Sequence, residues 1–308
     1  MRDLRPAGRT RIDVVVVLFH SDRVLLERCV ASVQASAARS AVDARLVFVD
    51  NGGGLPASGQ WPADAVVVGG GCNLGFGRAV NSALEHVTAP YALLLNPDAA
   101  LADDAFDAFL RADRSWPGAL LAGTMLTDGR LDPDSVIDWD FSVERLVKRR
   151  RPAGRRGTGG VVAVEKVSGG ALFGRADLLR SLGPFDDRFF LYAEDADLSR
   201  RAARSGIALG RVEDALVLHE GSASSRSFAA LVEFARADAA IRLTALHRSR
   251  IVSLAQRAEL LVVTLLGMLV ERDVRRRRAR SARLHALRRW GLRRDCAGVV
   301  APDPGDLG

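Results

Sequence analysis

Three carboxylates fall within four positions at Glu194, Asp195 and Asp197, directly after the bulky apolar run Phe189-Phe190-Leu191-Tyr192. Two kinds of chemistry suit such a cluster. Acidic side chains at a helix start are favoured by the positive end of the helix dipole, which requires no catalytic role. A carboxylate that follows an apolar run can instead be partly desolvated and so suited to take up a proton. Further along, His219 ends a second apolar run, Ala215-Leu216-Val217-Leu218. A strand ending beside a helix start would bring this histidine towards the carboxylates.

The elements that must position these groups follow from periodicity. Residues 12–19, 45–49, 66–68 and 91–95 are short apolar, mostly β-branched runs and predict strands. Helical spacing separates them at 24–38 and 78–86, and Asp103 is placed to cap a further helix reaching about Arg114. Residues 161–167 predict another strand and 175–182 another helix. This alternation indicates an α/β chain with an open, mainly parallel sheet flanked by helices. Ligands bind such sheets beyond the carboxyl ends of the strands. Asp50-Asn51-Gly52, Asn73-Leu74-Gly75-Phe76-Gly77 and Asn96-Pro97-Asp98 all follow predicted strands. Each alone reads as a turn or a helix start, but their common placement points to one ligand site. The glycine spacing is not the dinucleotide fingerprint, which argues against a nicotinamide enzyme. Residues 128–160 carry Asp132, Asp134, Asp138 and Asp140 and then Lys148-Arg149-Arg150-Arg151, and predict a long, mobile, charged loop.

Composition bounds the rest. The chain has 308 residues, 48% of them apolar, enough for a full core. Cys29, Cys72 and Cys296 are scattered and odd in number, so neither a disulfide framework nor a metal knuckle follows. Between Glu271 and Arg294 eleven arginines face two acids, a local +9 that leaves −2 for the rest of a chain of net +7. Basic character confined to one end, with 6% aromatic residues, argues against a nucleic-acid-binding protein. The N-terminus lacks an apolar signal core, so the expected place is the cytoplasm or the cytoplasmic face of a membrane. The apolar run at 260–270 has 11 residues, where a span needs about 20. Leu284, Leu287 and Trp290 recur every three residues among arginines, which predicts a helix lying on an anionic membrane surface, or else one packed on the catalytic domain.

The ordered set of motifs resembles glycosyltransferase family 2. It comprises Asp50-Asn51-Gly52, Asn73-Leu74-Gly75-Phe76 with Asn81, Asn96-Pro97-Asp98, Ser168-Gly169-Gly170-Ala171, Gly183-Pro184-Phe185-Asp186, Glu194-Asp195-Ala196-Asp197-Leu198 with Arg201, and His219. Within that family the chain is most similar to bacterial rhamnosyltransferases of the polyprenol-pyrophosphoryl-N-acetylglucosamine type. The resemblance implies a GT-A catalytic domain over 1–227, with a nucleotide-sugar half at about 12–126 and an acceptor half at about 160–227, and a basic helical extension over 228–308. It also implies an inverting transfer from a nucleotide-sugar, with dTDP-rhamnose favoured, to a glycan or polyprenol-pyrophosphate-linked acceptor at an anionic membrane surface. The implied roles are Asp50 on the nucleobase, with Asn51, Asn73, Gly75 and Arg78 also on the nucleotide. Asp98 and His219 would hold Mg²⁺ or Mn²⁺ at the diphosphate. Asp195 would be general base, supported by Glu194 and Asp197, with Gly169, Gly170 and Asp186 on the acceptor. Asn96 replaces the first aspartate of the family's DxD, a weaker ligand. A sugar-phosphate nucleotidyltransferase would carry a Gly-rich basic loop where His20-Ser21-Asp22 stands.

Overall fold

A computed structural model describes residues 9–53, 61–150, 154–220 and 228–293. Its strands are β1 (Arg11–Leu18), β2 (Asp43–Asp50), β3 (Val66–Val68), β4 (Tyr91–Leu95), β5 (Ala99–Leu101), β6 (Leu120–Thr127), β7 (Arg130–Leu131), β8 (Val161–Ala163), β9 (Ala171–Arg175) and β10 (Leu209–His219). The helices are α1 (Arg23–Arg39), α2 (Phe76–Leu84), α3 (Ala105–Ser115), α4 (Ser142–Arg150), α5 (Ala176–Ser181), α6 (Glu194–Arg204), α7 (Ala229–His247), α8 (Arg250–Val270) and α9 (Val274–Trp290).

The strands form one mixed sheet in the order β3-β2-β1-β4-β9-β6-β10-β5, with β7 beside β6 and β8 beside β10. β1 is buried from Ile12 to Leu18 because both of its faces are covered. Ile12, Val14, Val16 and Leu18 pack with α1 and α3 residues such as Leu26, Val30, Phe106 and Phe109. Val15 and Val17 belong to the opposite layer with Val80, Leu179 and Leu198. The sheet is parallel from β3 to β4, as expected, but β9 enters antiparallel between β4 and β6, and β5, β7 and β8 also run antiparallel to their neighbours. Two of these antiparallel registers build the site. Leu95 pairs with Ala171, so the Asn96-Pro97-Asp98 turn meets Gly169-Gly170, and the Asn96 amide donates to the Gly170 carbonyl at 3.0 Å. His219 pairs with Ala99, which sets the histidine beside Asp98.

The structure corrects three expectations. Asp103 does not cap α3: the N-cap is Asp104 and makes no side-chain bond. The free amides of Phe106 and Asp107 donate instead to the hydroxyls of Ser36 and Ser40, supplied by α1 and the residue after it. Residues 128–160 are not one long loop. They contain β7, a 3₁₀ turn at Pro133–Ser135 and α4. Ion pairs reaching outside the segment hold it, from Arg200 to Asp138 and Asp140, from Arg248 to Asp140, and from Lys148 to Glu165. Opposite charges read as solvated in sequence are thus partners in space.

The third correction concerns the C-terminus. The apolar face of α9 packs on protein. Ala282 and Ala286 are buried with Phe234 and Ala237 of α7, and Trp290 is wholly buried with Ile241. The Trp290 indole donates to Asp238 at 2.7 Å, and the guanidinium groups of Arg242 and Arg257 lie over its ring. The exposed apolar surface lies on α8 instead. Between Leu261 and Val270 seven Leu and Val side chains are exposed, and Thr264 is the one buried residue. By length and composition this 21-residue helix could cross a membrane.

Candidate active site

The carboxyl ends of the strands open on a cavity of about 700 Å³. On one side its wall contains Phe19, Asn51, Asn73, Gly75, Asn96, Asp98 and His219; on another it contains Lys166, Ser168, Tyr192, Glu194 and Asp195.

The loop after β3 is built by side chain–backbone bonds. Buried Asn51 accepts from the Leu74 amide at 2.8 Å and donates to Asn73 and to the Gly75 carbonyl. Asn73 in turn accepts from the Gly75 amide at 3.0 Å. Gly75 has φ +83°, and a Cβ there would lie 2.0 Å from the Phe190 carbonyl oxygen. That carbonyl accepts from Phe76, so the α2 start is tied to the apolar run preceding α6. Asp98 and His219 are half-buried and 3.3 Å apart. The hydrogen bond to Asp98 raises the His219 pKa, outweighing burial.

The opposite side of the cavity is organised by α6. Tyr192 and Ala193 both have positive φ, +71° and +61°, an uncommon conformation for non-glycine residues, and turn the chain sharply into the helix. Glu194 and Asp195 are thereby presented to the cavity. Asp195 accepts from the amides of Ala196 at 2.7 Å and Gly169 at 3.4 Å, and Lys166 Nζ is 3.6 Å away. Glu194 is buried, and its Oε2 has no hydrogen-bond partner. Burial, followed by the charge of Asp195, pushes its pKa up to about 8. In this adjacent pair Glu194 therefore carries the proton at neutral pH, and Asp195 has the cationic partner.

Several expected site residues stand elsewhere. Asp197 is buried away from the cavity, paired with Arg201 and His247 at 2.7 Å each. It fastens α6 to α7 rather than touching a ligand. Arg78 donates to the Asp187 carbonyl at 2.8 Å and does not line the cavity. Asp50 is outside the wall too, and its Oδ1 closes the turn onto the Gly52 amide at 3.2 Å. Asp186 is bound to Arg188. Gly169 and Gly170 lie behind the wall, where a Cβ would meet the Phe76 ring or Met125 and Asn96 at 3.0–3.2 Å. Lys166 was missed by the sequence reading. Its signal was present, since only Lys148 and Lys166 are lysines in a chain otherwise supplied with arginine.

Among the described residues no group of three or more His, Cys, Asp and Glu is placed to hold a metal. Asp98 and His219 stand together at the cavity wall as two donors that would hold a divalent cation. That donor set fits Mg²⁺ or Mn²⁺ bound together with a nucleotide.

No family model matches the chain. It is 27% identical over 281 residues, covering 79% of this chain and 84% of the relative, to N-acetylglucosaminyl-diphospho-decaprenol L-rhamnosyltransferase of Mycobacterium tuberculosis, in both strain CDC 1551 / Oshkosh and strain ATCC 25618 / H37Rv. A crystal structure of GalNAc-T7 with UDP, GalNAc and Mn²⁺ superposes with TM-score 0.56 at 13% identity, over 77% of this chain; the chain spans about half of that protein, 48%. The chain has the GT-A fold of that structure. In this fold the parallel strands β3 to β4 carry the loop around Asn73 and the Asp98 turn, and the mixed strands and α6 carry the carboxylate pair.

Proposed function

We propose that the glycosyltransferase moves L-rhamnose from dTDP-rhamnose to a hydroxyl of N-acetylglucosaminyl-diphospho-polyprenol, with inversion and with Asp195 as general base. One observation carries the mechanism: the Asp98–His219 pair and Asp195 face the same cavity. The identity of the substrates is supported by the name of the M. tuberculosis relative.

In a single displacement the acceptor oxygen attacks the anomeric carbon as the bond to the diphosphate breaks. The electron pair of that bond leaves with dTDP, and Asp195 takes the hydroxyl proton. Glu194, held protonated by its burial, would add no second negative charge beside Asp195. Lys166 and the amides of Gly169 and Ala196 fix the direction of that carboxylate. Asp98 and His219 would hold a divalent cation, which supplies positive charge against the departing diphosphate. Asn51 and Asn73 shape the loop on which the nucleotide rests, with Asp50 behind it at the end of β2. A lipid-linked acceptor would hold the enzyme at a membrane surface, in this reading the cytoplasmic face.

A donor screen tests this reading. Hydrolysis and transfer are measured with dTDP-, UDP- and GDP-sugars, with and without chelator, using N-acetylglucosaminyl-diphospho-polyprenol as acceptor. Turnover of dTDP-rhamnose is expected to exceed the others and to fall on chelation. Preference for a UDP- or GDP-sugar, or transfer to soluble acceptors alone, would overturn it.

A further inference from the structure

Helix α4 has no buried residue. Val143, Leu146 and Val147 stand at helical spacings of three and four, so they share one face, and Leu146 is 61% exposed. On α8, Val262, Leu265, Leu266 and Leu269 likewise share a face, with Leu269 78% exposed. The two helices are joined. Glu259 of α8 accepts from the amides of Ser142 and Val143 at 2.7 and 3.4 Å and so caps the start of α4. Both also wall the cavity, α4 through Ser142 and Arg145 and α8 through Gln256, Glu259 and Leu260.

Length and polarity decide how such a surface meets lipid. The first half of α8 belongs to the protein. Ser253, Gln256 and Arg257 are buried, and Arg257 donates to the carbonyls of Gly291 and Arg293 at 2.6 and 2.7 Å. Drawing this half into hydrocarbon would break those bonds and bury a cation in lipid. The exposed end from Leu261 to Val270 is about 15 Å long at 1.5 Å per residue, half of a hydrocarbon core of about 30 Å. It therefore reaches into one leaflet and does not span.

We propose that the exposed faces of α4 and of the end of α8 together form a membrane-inserting surface beside the cavity, and that its occupant is an anionic bilayer. The charge around it selects that occupant. Arg150 ends α4, beyond the ion-paired Lys148 and Arg149, and the arginines at 275–278 begin α9 just beyond α8. A second copy of the chain would bring like charge against like, whereas anionic headgroups over acyl chains complement both collar and tips. This assignment rests on the lipid-linked acceptor proposed above: a polyprenyl chain held in the leaflet would reach the cavity between α4 and α8 without leaving the bilayer.

The test uses the full chain, co-sedimented with phosphatidylcholine vesicles with and without phosphatidylglycerol. The substitutions Leu146→Ser with Val147→Ser, and Leu266→Ser with Leu269→Ser, alter only exposed side chains and should leave the fold intact. Each pair should lower partitioning onto anionic vesicles roughly tenfold or more. Turnover of a water-soluble short-chain acceptor analogue should not change. Undiminished vesicle binding by both variants would overturn the assigned surface while leaving the acceptor assignment standing. A wild-type dimer that these substitutions dissociate, with no vesicle binding, would overturn it in favour of a second copy. Wild-type binding to anionic vesicles combined with no transfer to the polyprenol-linked acceptor would instead sink the functional reading.

Discussion

The two sides of the cavity are built differently. The side proposed for the donor is held by bonds between near neighbours in sequence or between adjacent strand ends, such as Asn73 to Gly75 and Asn51 to Leu74. The side proposed for the acceptor is held by charges far apart in the chain. Arg200 of α6 binds Asp138 and Asp140, Arg248 binds Asp140, and His247 binds Asp197. A turn carries its own partners, so a donor loop survives change elsewhere. An ion-paired wall fails as a unit, because losing one member leaves a buried charge uncompensated.

That contrast can be broken by substitution. The largest effect is expected from Arg200→Met. It leaves buried Asp140 with Arg248 as its remaining described ion-pair partner, removes the guanidinium paired with half-buried Asp138, and should cost about 3–5 kcal/mol, read as a lower urea midpoint. Nucleoside diphosphate affinity of the folded fraction should be unchanged; a matching loss of donor affinity would mean that the two sides are not independent. Gly75→Ala comes next. Its Cβ would meet the Phe190 carbonyl at 2.0 Å at a positive φ, where the loop after β3 packs closely on the run before α6. A cost of order 1–3 kcal/mol is expected, together with a raised donor KM. An unchanged KM would show that the seam does not shape the nucleotide loop.

The smallest effect belongs to Glu194→Gln and depends on pH. The folded group titrates near 8 against an ordinary value of 4.5. The folded state thus keeps a proton that the unfolded chain releases. The stability it contributes is complete below about 4.5 and declines as pH rises, until the folded group itself ionises near 8. Glutamine, a neutral isostere, should flatten this dependence, raise Tm relative to wild type at pH 8, and leave turnover within a few-fold. A Tm difference independent of pH would mean that Glu194 is ionised when folded.

The same contrast explains what could be read from residue order. The parallel strands and the loops after β2, β3 and β4 were legible because periodicity and turn residues are local signals. The meeting of Asp98 with His219 was anticipated from motif order, and the β5–β10 register supplies its geometry. Asp197 was misplaced because nothing near it announces His247, fifty residues away. The acids at 132–140 looked solvated because Arg200 and Arg248 are distant in sequence. On α9, alternating arginine and leucine resembled a membrane face, but Asp238 and Arg242 of α7 draw Trp290 inside. Ion-pair partners chosen by tertiary structure leave no periodic trace.

The central claim is that Asp195 performs the proton transfer in a cavity whose donor end is independent of it. The direct measurement compares wild type with Asp195→Asn for transfer turnover and for dTDP affinity on the same folded preparation. Turnover should fall by about 10²-fold or more, the usual scale for a lost general base, while dTDP affinity stays close to wild type. Near-normal turnover in the folded variant would contradict the account and move the base away from Asp195.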